Sequence, residues 1–329
     1  MFGKRLTEAD YNELMRKQNV PELAQYLRDN THYGQVIGKI DVQSIHRGQL
    51  ESLLRRSMFD RYIKLIRYDS SGSEGFYHYI VVRSEIDQLL TAIRLLNSGS
   101  MQDYYFTMPA FLEKYARFDL ASLGGANSYE QLLSVVKRTD YYKILEKYRP
   151  LEGQPANIAA CEAALLTYYF NHVFATIDKQ FSGSGKKELE ELFRMQIDIH
   201  NFAVAFRLRR YFNSPPQEVK ACLLPFETQS KKIIAAIVNA TSKEEIMEIV
   251  AKSKYGKDQK IDDMEYVESL VERTRYRHSI KDMRFSTNPS VVLTSFMLLC
   301  TEELNNIINI IEGIRYGLDT ADIKNLLIL

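Results

Sequence analysis

Three small blocks of residues recur in the same order along the 329-residue chain, at intervals of about 110 residues. The first block ends on a tyrosine, with a hydroxyl residue at position −2, an aliphatic residue at −6 and a glutamate at −11. Its three copies end at Tyr33, Tyr141 and Tyr255. A single match of this kind is common in helical chains, but three ordered blocks indicate an internal repeat of the fold.

The second and third blocks strengthen this interpretation. The second has an aliphatic residue at +3, an aromatic residue at +8 and a large apolar residue at +15 from a glutamate, and starts at Glu51, Glu162 and Glu268. The third starts at Ile86-Asp87, Ile197-Asp198 and Glu303, and its last two copies continue through an asparagine to Arg210-Tyr211 and Arg315-Tyr316. Its first copy is the weakest, because Leu90 stands where the others have asparagine.

Repeated helical units with matched packing positions imply pseudo-threefold symmetry, in which three similar groups of helices surround an axis. We therefore predict three helical repeats, at residues 1–124, 125–238 and 239–329, in one all-α body arranged as a funnel. Such an architecture favours gripping a shaft or resting on a ring over enclosing a small substrate.

Helical periodicity is strong along the chain. The apolar residues at 50–68 step by three and four, which places them on one face of an α-helix, and residues 158–177 are apolar almost all round. Further helices are predicted at 84–96, 187–212, 229–238, 243–250, 264–283 and 291–315. Only residues 76–82 are ambiguous with a strand, and the 15 Gly and 8 Pro are too few for an all-β fold.

The formal net charge is +1, from 43 Lys and Arg against 42 Asp and Glu, which argues against a dedicated nucleic-acid binder. Two basic clusters remain, at Arg207, Arg209 and Arg210 and at Arg273, Arg275 and Arg277. Each fits a solvated helix face, a contact for an acidic partner or, as an alternative function, a helical scaffold that binds nucleic acid.

Neither the cysteines nor the apolar stretches indicate secretion or a membrane span. Cys161, Cys222 and Cys300 are far apart and lack metal-ligand spacing, so we interpret them as small buried residues of a protein in a reducing compartment. The N-terminal sequence MFGKRLTEADY has no apolar core of a signal peptide. The apolar stretches at 158–170 and 291–300 are shorter than the ~18 to 20 residues that span a bilayer.

No catalytic motif is evident, and we expect no cofactor and no metal. The segment SGSGKK at 182–187 has Gln180 and Lys187 where a phosphate-binding loop needs glycine and a hydroxyl residue, so we predict a flexible loop. The six histidines form no metal-binding pair, and no nucleophile motif is present. The pair Asp262-Asp263 fits a solvated helix start. A helical, metal-dependent enzyme is an alternative that requires acids and histidines in one cleft.

Polar side chains are mixed into the strongly apolar helix around residues 197–210, and the third copy of the block repeats the pattern. Such groups are buried and paired, or they line a cavity. We predict that they line the funnel and bind a partner. The candidate residues are Asp198, His200, Asn201, Arg207, Arg210, Glu303, Asn306 and Arg315.

Several runs together resemble the C subunit of bacterial and archaeal V-type (A-type) ATPases, whose eukaryotic counterpart is the d subunit. They are HRGQLE at 46–51, Thr139-Asp140-Tyr141-Tyr142-Lys143, the 197–211 segment with Asp198, Asn201 and Arg210, and the tail from Ile314 to Ile328. The resemblance covers nearly the whole chain and includes the repeat. The chain opens at Met1-Phe2-Gly3-Lys4, so we expect a first helix shorter than is usual in this family.

The resemblance implies a non-catalytic central-stalk protein that joins the rotor shaft to the membrane-embedded proteolipid ring, for ATP-linked transport of protons or sodium ions. Its implied partners are the shaft subunits and the ring, with one copy per complex and no nucleic acid. Its implied location is the cytoplasmic face of the membrane, as a peripheral protein without a span of its own.

Overall fold

The computed structural model of the chain describes residues 2–38, 40–68, 75–256 and 267–329. Every regular element in these ranges is helical, so the predicted all-α class is confirmed. The α-helices are α1 Glu8–Met15, α2 Val20–Asn30, α3 Gly34–Ile37, α4 Arg47–Tyr68, α5 Tyr79–Ser98, α6 Tyr104–Thr107, α7 Leu120–Gly124, α8 Tyr129–Val135, α9 Asp140–Leu145, α10 Ile158–Gln180, α11 Gly183–Arg210, α12 Pro216–Cys222, α13 Lys231–Asn239, α14 Lys243–Ala251, α15 Val267–Phe285, α16 Pro289–Arg315 and α17 Thr320–Asn325. Short 3₁₀ turns are Phe2–Lys4, Val42–Ser44, Phe76–His78, Met101–Asp103, Ala110–Leu112 and Glu146–Tyr148.

The long helices agree with the sequence predictions to within a few residues, whereas the short ones were not predicted because they have too few turns to show a period. The ambiguous residues 76–82 form a 3₁₀ turn that leads into α5. The flexible loop predicted at 182–187 is wrong, since α11 starts at Gly183 and runs through the lysines. The predicted start of the helix at residue 264 and the pair Asp262-Asp263 lie outside the described residues.

Side-chain caps explain where several short helices begin. The first amides of a helix have no partner within it, and a preceding Ser, Thr, Asn or Asp side chain accepts a hydrogen bond from one of them. Asn19 caps α2, Ser128 caps α8 and Ser242 caps α14, each by accepting from the amide three residues on. These three helices precede Tyr33, Tyr141 and Tyr255, so the first sequence block corresponds to a capped short helix.

The chain divides into two compact units. Unit 1 comprises Met1–Ser71 with Glu272–Leu329, and unit 2 comprises Gly72–Val271. In unit 1 the N-terminal helices α1 to α4 and the C-terminal helix α16 share one core, with Leu14, Leu27 and Ile307 at its centre. In unit 2 a core around α11, α13 and α14 contains Phe202 and Phe206. The first and last parts of the chain therefore fold together.

Helix α16 is the one element within the described ranges that is long and apolar enough to cross a membrane, and 67% of its most apolar window is buried inside the protein. The sequence prediction considered only residues 291–300, whereas the apolar pattern continues beyond the acids at 302 and 303. Leu304, Ile307 and Ile310 on this helix pack in the core of unit 1. Core packing therefore accounts for the apolarity of α16.

Two asparagines each bind a different backbone segment through both the oxygen and the nitrogen of the side-chain amide. Asn306 donates to the carbonyl of Ile328 at 2.7 Å and accepts from the Ile328 amide at 2.9 Å. Asn201 makes the same pair of bonds to Leu224, at 3.0 and 2.8 Å. Both asparagines are buried, so these bonds satisfy backbone groups that water does not reach. The candidates Asn201 and Asn306 thus hold the segments that follow their own helices.

We expect Asn306→Ala to lower the free energy of unfolding by about 2 kcal/mol, because it leaves a buried amide and a buried carbonyl unpaired. Hydrogen exchange at residues 326–329 should rise with it. The matched control is Asn309→Ala, which removes one solvent-accessible bond to the Leu326 carbonyl and should cost less than about 1 kcal/mol. Equal effects of the two substitutions in urea titration would contradict this account.

Candidate functional site

Glu303 on α16 is fully buried and gathers groups from the N-terminal part of unit 1. Its carboxylate accepts from the Leu6 amide at 2.8 Å and from the Tyr33 hydroxyl at 2.9 Å. The Arg5 and Arg61 guanidinium groups lie 3.8 and 3.9 Å away. Burial raises the pKa of Glu303, against the lowering effect of the Leu6 amide and the Arg61 charge. We call this group of residues the Glu303 cluster.

His32 links the Glu303 cluster to α4. Its Nδ1 lies 2.9 Å from the Lys4 carbonyl, and its Nε2 contacts the Arg61 guanidinium. A guanidinium only donates, so Nε2 accepts and Nδ1 carries the proton in a neutral ring. Burial and the charge of Arg61 lower the pKa of His32 to about 4. The neutral imidazole is therefore the form that fits the folded protein.

Glu85 on α5 is the centre of a second buried cluster, in unit 2. It accepts from the Tyr141 hydroxyl at 2.7 Å and from the Arg117 backbone amide, and the Arg117 guanidinium donates to it at 2.8 and 3.0 Å. Arg117 also donates to the hydroxyl of Tyr168. Burial and the neighbouring Glu85 raise the pKa of Tyr141, so the phenol keeps its proton and donates it to the carboxylate. This is the Glu85 cluster.

Asp198 on α11 forms a third cluster, also in unit 2. It accepts from the Ser230 amide at 3.0 Å, and the Lys254 ammonium lies 3.4 Å away. The Ser230 hydroxyl is 2.8 Å from the hydroxyl of Tyr255, so a serine stands between the acid and the tyrosine. The aspartate side chain is one methylene shorter than glutamate, and Ser230 bridges the remaining distance between Asp198 and Tyr255. We call this group the Asp198 cluster.

The three clusters share one construction. In each, a carboxylate from a long helix meets the tyrosine that ends the first sequence block, directly or through a serine, together with a cation. The hydroxyl residue at position −2 donates to a backbone carbonyl three or four residues earlier, at Thr31, Thr139 and Ser253. In the first and third copies the same hydroxyl accepts from the tyrosine amide. The hydroxyl residue at −2 therefore stabilises the turn that directs the tyrosine side chain toward the carboxylate.

The contacts correct the alignment of the third block. The sequence comparison matched Asp87 with Asp198, but Asp87 is exposed and pairs with Arg83, whereas Glu85 occupies the buried position. With Glu85 aligned to Asp198 and Glu303, the residue at +3 is Gln88 in place of the mismatched Leu90. An amide then follows each acid at the same distance, as at Asn201 and Asn306. Sequence reasoning missed Glu85 because Ile86-Asp87 imitates Ile197-Asp198.

The structure divides the eight candidate residues into two groups. Asp198, Asn201, Glu303 and Asn306 are at most 4% exposed, and all four bind groups of the chain itself. His200 and Arg210 are partly exposed, and Arg207 and Arg315 are exposed. Binding of a partner stays a prediction, and it now depends on these four accessible side chains.

The accessible candidates lie near large exposed aromatic residues at the C-terminal ends of two helices. Tyr211 and Phe212 follow Arg210 at the end of α11, and Tyr316 follows Arg315 at the end of α16. Phe212 and Tyr316 expose 67% and 69% of their surfaces. Arginine and aromatic residues are enriched at protein–protein interfaces. Each of these helix ends therefore has the composition of a docking surface.

Much of the two basic segments is engaged within the chain. Arg209 donates to the carbonyls of Ser214 and Ala240, and Arg275 pairs with the buried Glu302 at 3.0 Å. Arg277 is exposed. A continuous phosphate-binding face needs neighbouring cations that are free to contact phosphates. Because Arg209 and Arg275 bind groups of the chain itself, the cations of these two segments do not form such a face. In the part of the chain that the structure describes, no group of three or more His, Cys, Asp or Glu side chains is placed to hold a metal ion.

Comparison with known proteins identifies the class. The sequence model of the ATP synthase (C/AC39) subunit family matches residues 1–326, and the chain belongs to this family. The A-type ATP synthase C subunit of Methanosarcina mazei is 23% identical over 343 aligned positions, which cover 100% of this chain and 90% of the relative. The protein of the same name from Thermococcus gammatolerans is 22% identical, with 99% and 87% covered. The resemblance inferred from the sequence is confirmed.

We expect Glu85→Ala to lower the free energy of unfolding by about 3 kcal/mol, because the substitution leaves the partly buried Arg117 charge and the Tyr141 hydroxyl without their acceptor. Asp87→Ala on the same helix removes only an exposed pair with Arg83 and should cost less than about 1 kcal/mol. Urea unfolding followed by circular dichroism compares the two. A larger effect at Asp87 would restore the alignment first inferred from the sequence.

The His32 environment predicts acid sensitivity. The ordinary pKa of histidine is about 6.5, so between this pH and pH 4 the unfolded chain takes up a proton that the folded chain excludes. Unfolding free energy should therefore fall over this window, by about 2 kcal/mol more in the wild type than in His32→Gln. The raised pKa of Glu303 acts in the opposite direction in both proteins, so the difference between the two proteins reports mainly on His32. Equal acid sensitivity would rule out a neutral His32.

Proposed function

We propose that this chain is the central-stalk C subunit of a rotary V-type or A-type ATPase (ATP synthase), which couples the rotor shaft to the membrane proteolipid ring. The observation that carries the proposal is the family match over residues 1–326, with relatives named as this subunit of the A-type ATP synthase along nearly the whole chain. In this role the protein is non-catalytic. ATP chemistry and the movement of protons or sodium ions take place in other subunits.

The recurring clusters support the proposed three-repeat funnel. Glu85 lies in the first predicted repeat and Tyr141 in the second; Asp198 lies in the second and Tyr255 in the third. Glu303 lies in the third and Tyr33 in the first, 270 residues away in sequence. Each cluster thus connects successive repeats, and the Glu303 cluster connects the last to the first. Two of these connections lie within unit 2 and one within unit 1, and each supports the pairing of neighbouring repeats in the proposed funnel.

A coupling protein must transmit torque without bending, and the chemistry of the clusters suits this task. A carboxylate buried among a tyrosine and a cation has few alternative arrangements, because leaving any partner unpaired in a dry environment is costly. Helices packed on apolar cores supply the remaining stiffness. We infer that the clusters resist relative sliding of the helices that they join.

Two docking surfaces for the shaft are proposed, each within its own unit: the accessible helix end at Arg210-Tyr211-Phe212 in unit 2 and the one at Arg315-Tyr316 in unit 1. Their arginines and aromatic residues provide polar contacts that keep the unassembled protein soluble and apolar contacts that bind once water is excluded. The ring would bind elsewhere on the chain. One copy per complex, at the cytoplasmic face of the membrane, follows from the central position of the stalk.

The test is reconstitution with the shaft subunits and the proteolipid ring of the same complex. The wild-type chain should co-purify with both. The variant Arg210→Glu/Arg315→Glu should bind the shaft at least about tenfold more weakly with unchanged helicity, whereas Lys137→Glu/Lys232→Glu, at two exposed cations elsewhere, should bind normally. Failure of the wild type to join either partner would overturn the proposed function; unchanged binding of the first variant would overturn only the two proposed docking surfaces.

A further inference from the structure

A row of three cations lies along the part of α15 that belongs to unit 1. Arg277, Lys281 and Arg284 are exposed and stand four and three residues apart, which places them on one face of the helix. Among the described residues, none of the three has an acidic partner within ion-pair distance. Phe285, the last residue of the helix, exposes 76% of its surface beside this row. We call these four residues the α15 basic face.

The remainder of this helix is anchored within unit 1, so the basic face is held in position. Arg275 donates to the buried Glu302 at 3.0 Å, and the Tyr276 ring lies under the guanidinium of Arg5. On the following turn Asp282 accepts from the Ser295 hydroxyl of α16. These contacts attach α15 to α16 and to the N-terminal segment on the side away from the exposed row.

The geometry points to a further docking surface, at which the α15 basic face binds an acidic helix of another subunit of the complex. The row spans about 10 Å, from a rise of about 1.5 Å per residue over seven residues. A partner helix with acidic residues three or four positions apart has the same spacing of charges and can place one carboxylate against each cation. Phe285 adds an apolar anchor at one end, as aromatic residues do at interfaces. The inference rests on the proposed function for its partner.

The expected binding affinities favour a protein over a membrane or a nucleic acid as the partner of the α15 basic face. Three cations near an anionic bilayer give an association of only about millimolar strength, and an interfacial helix adds affinity by burying an apolar face in the lipid. The apolar side of α15 offers only Phe285 at this surface. Three phosphate contacts likewise bind nucleic acid weakly at physiological salt. Against a rigid acidic helix, the same charges act in a pre-organised row.

The experiment uses the full chain and the other purified subunits of the complex. Arg277→Glu/Lys281→Glu/Arg284→Glu is compared with Lys137→Glu/Lys220→Glu/Lys232→Glu, which makes the same change of charge at scattered exposed positions. A photoreactive phenylalanine analogue at position 285 identifies what lies against the face in the assembled complex. We expect at least tenfold weaker assembly for the first variant, normal assembly for the second, and a cross-link to an acidic helical segment of another subunit.

Other outcomes are equally decisive. If the wild type assembles and the first variant assembles equally well, the inference fails and the proposed function stands. If position 285 cross-links only to lipid, or if binding to vesicles of phosphatidylserine and phosphatidylcholine is lost in the first variant, the face binds a membrane and the inference is overturned. If the wild type does not assemble at all, both proposals fail.

Discussion

A carboxylate buried with a tyrosine and a cation is the interaction on which this structure depends. Removing such a charge from water is costly, and each carboxylate recovers the cost only when all its partners are in place. The partners come from segments distant in sequence: Glu303 takes the Leu6 amide from 297 residues away. The interaction therefore specifies which helices meet and in what register, beyond what apolar packing alone would require.

Shared construction does not make the three clusters equivalent. Glu85 has a guanidinium that donates twice to its Oε2 atom, whereas Asp198 has an exposed lysine and an intervening serine. Glu303 has a neutral histidine and two arginines at 3.8 and 3.9 Å. The Glu303 cluster is the one that joins the two ends of the chain, and it contains the histidine whose pKa is lowered to about 4. The connection between the first and last segments thus contains a histidine that must stay neutral for its contact with Arg61.

The sequence located many of the candidate residues, but it did not show whether their side chains are buried and paired or accessible to a partner. The pattern around Asp198, Asn201, Glu303 and Asn306 marked polar groups on apolar helices, and we predicted that these groups line a funnel. The structure shows the four side chains buried and paired within the chain. Sequence reasoning missed Glu85, Arg117 and Arg61 because their partners are far away in sequence. Such contacts produce no recognisable spacing in a local motif. The unpaired row on α15 was likewise invisible, since only folding separates Arg275, which pairs with Glu302, from Arg277.

Local chemistry in the sequence was enough to predict the all-α class, the long helices, the recurring tyrosine with its hydroxyl two residues earlier, and the family. These features depend on periodicity and on contacts within a few residues, which a linear pattern preserves. The partners of each buried acid, the likeness of Glu85 to Asp198 and Glu303, and the faces left exposed emerged only with the folded chain. They depend on which distant surfaces meet, because a charge is buried or free according to its neighbours in space.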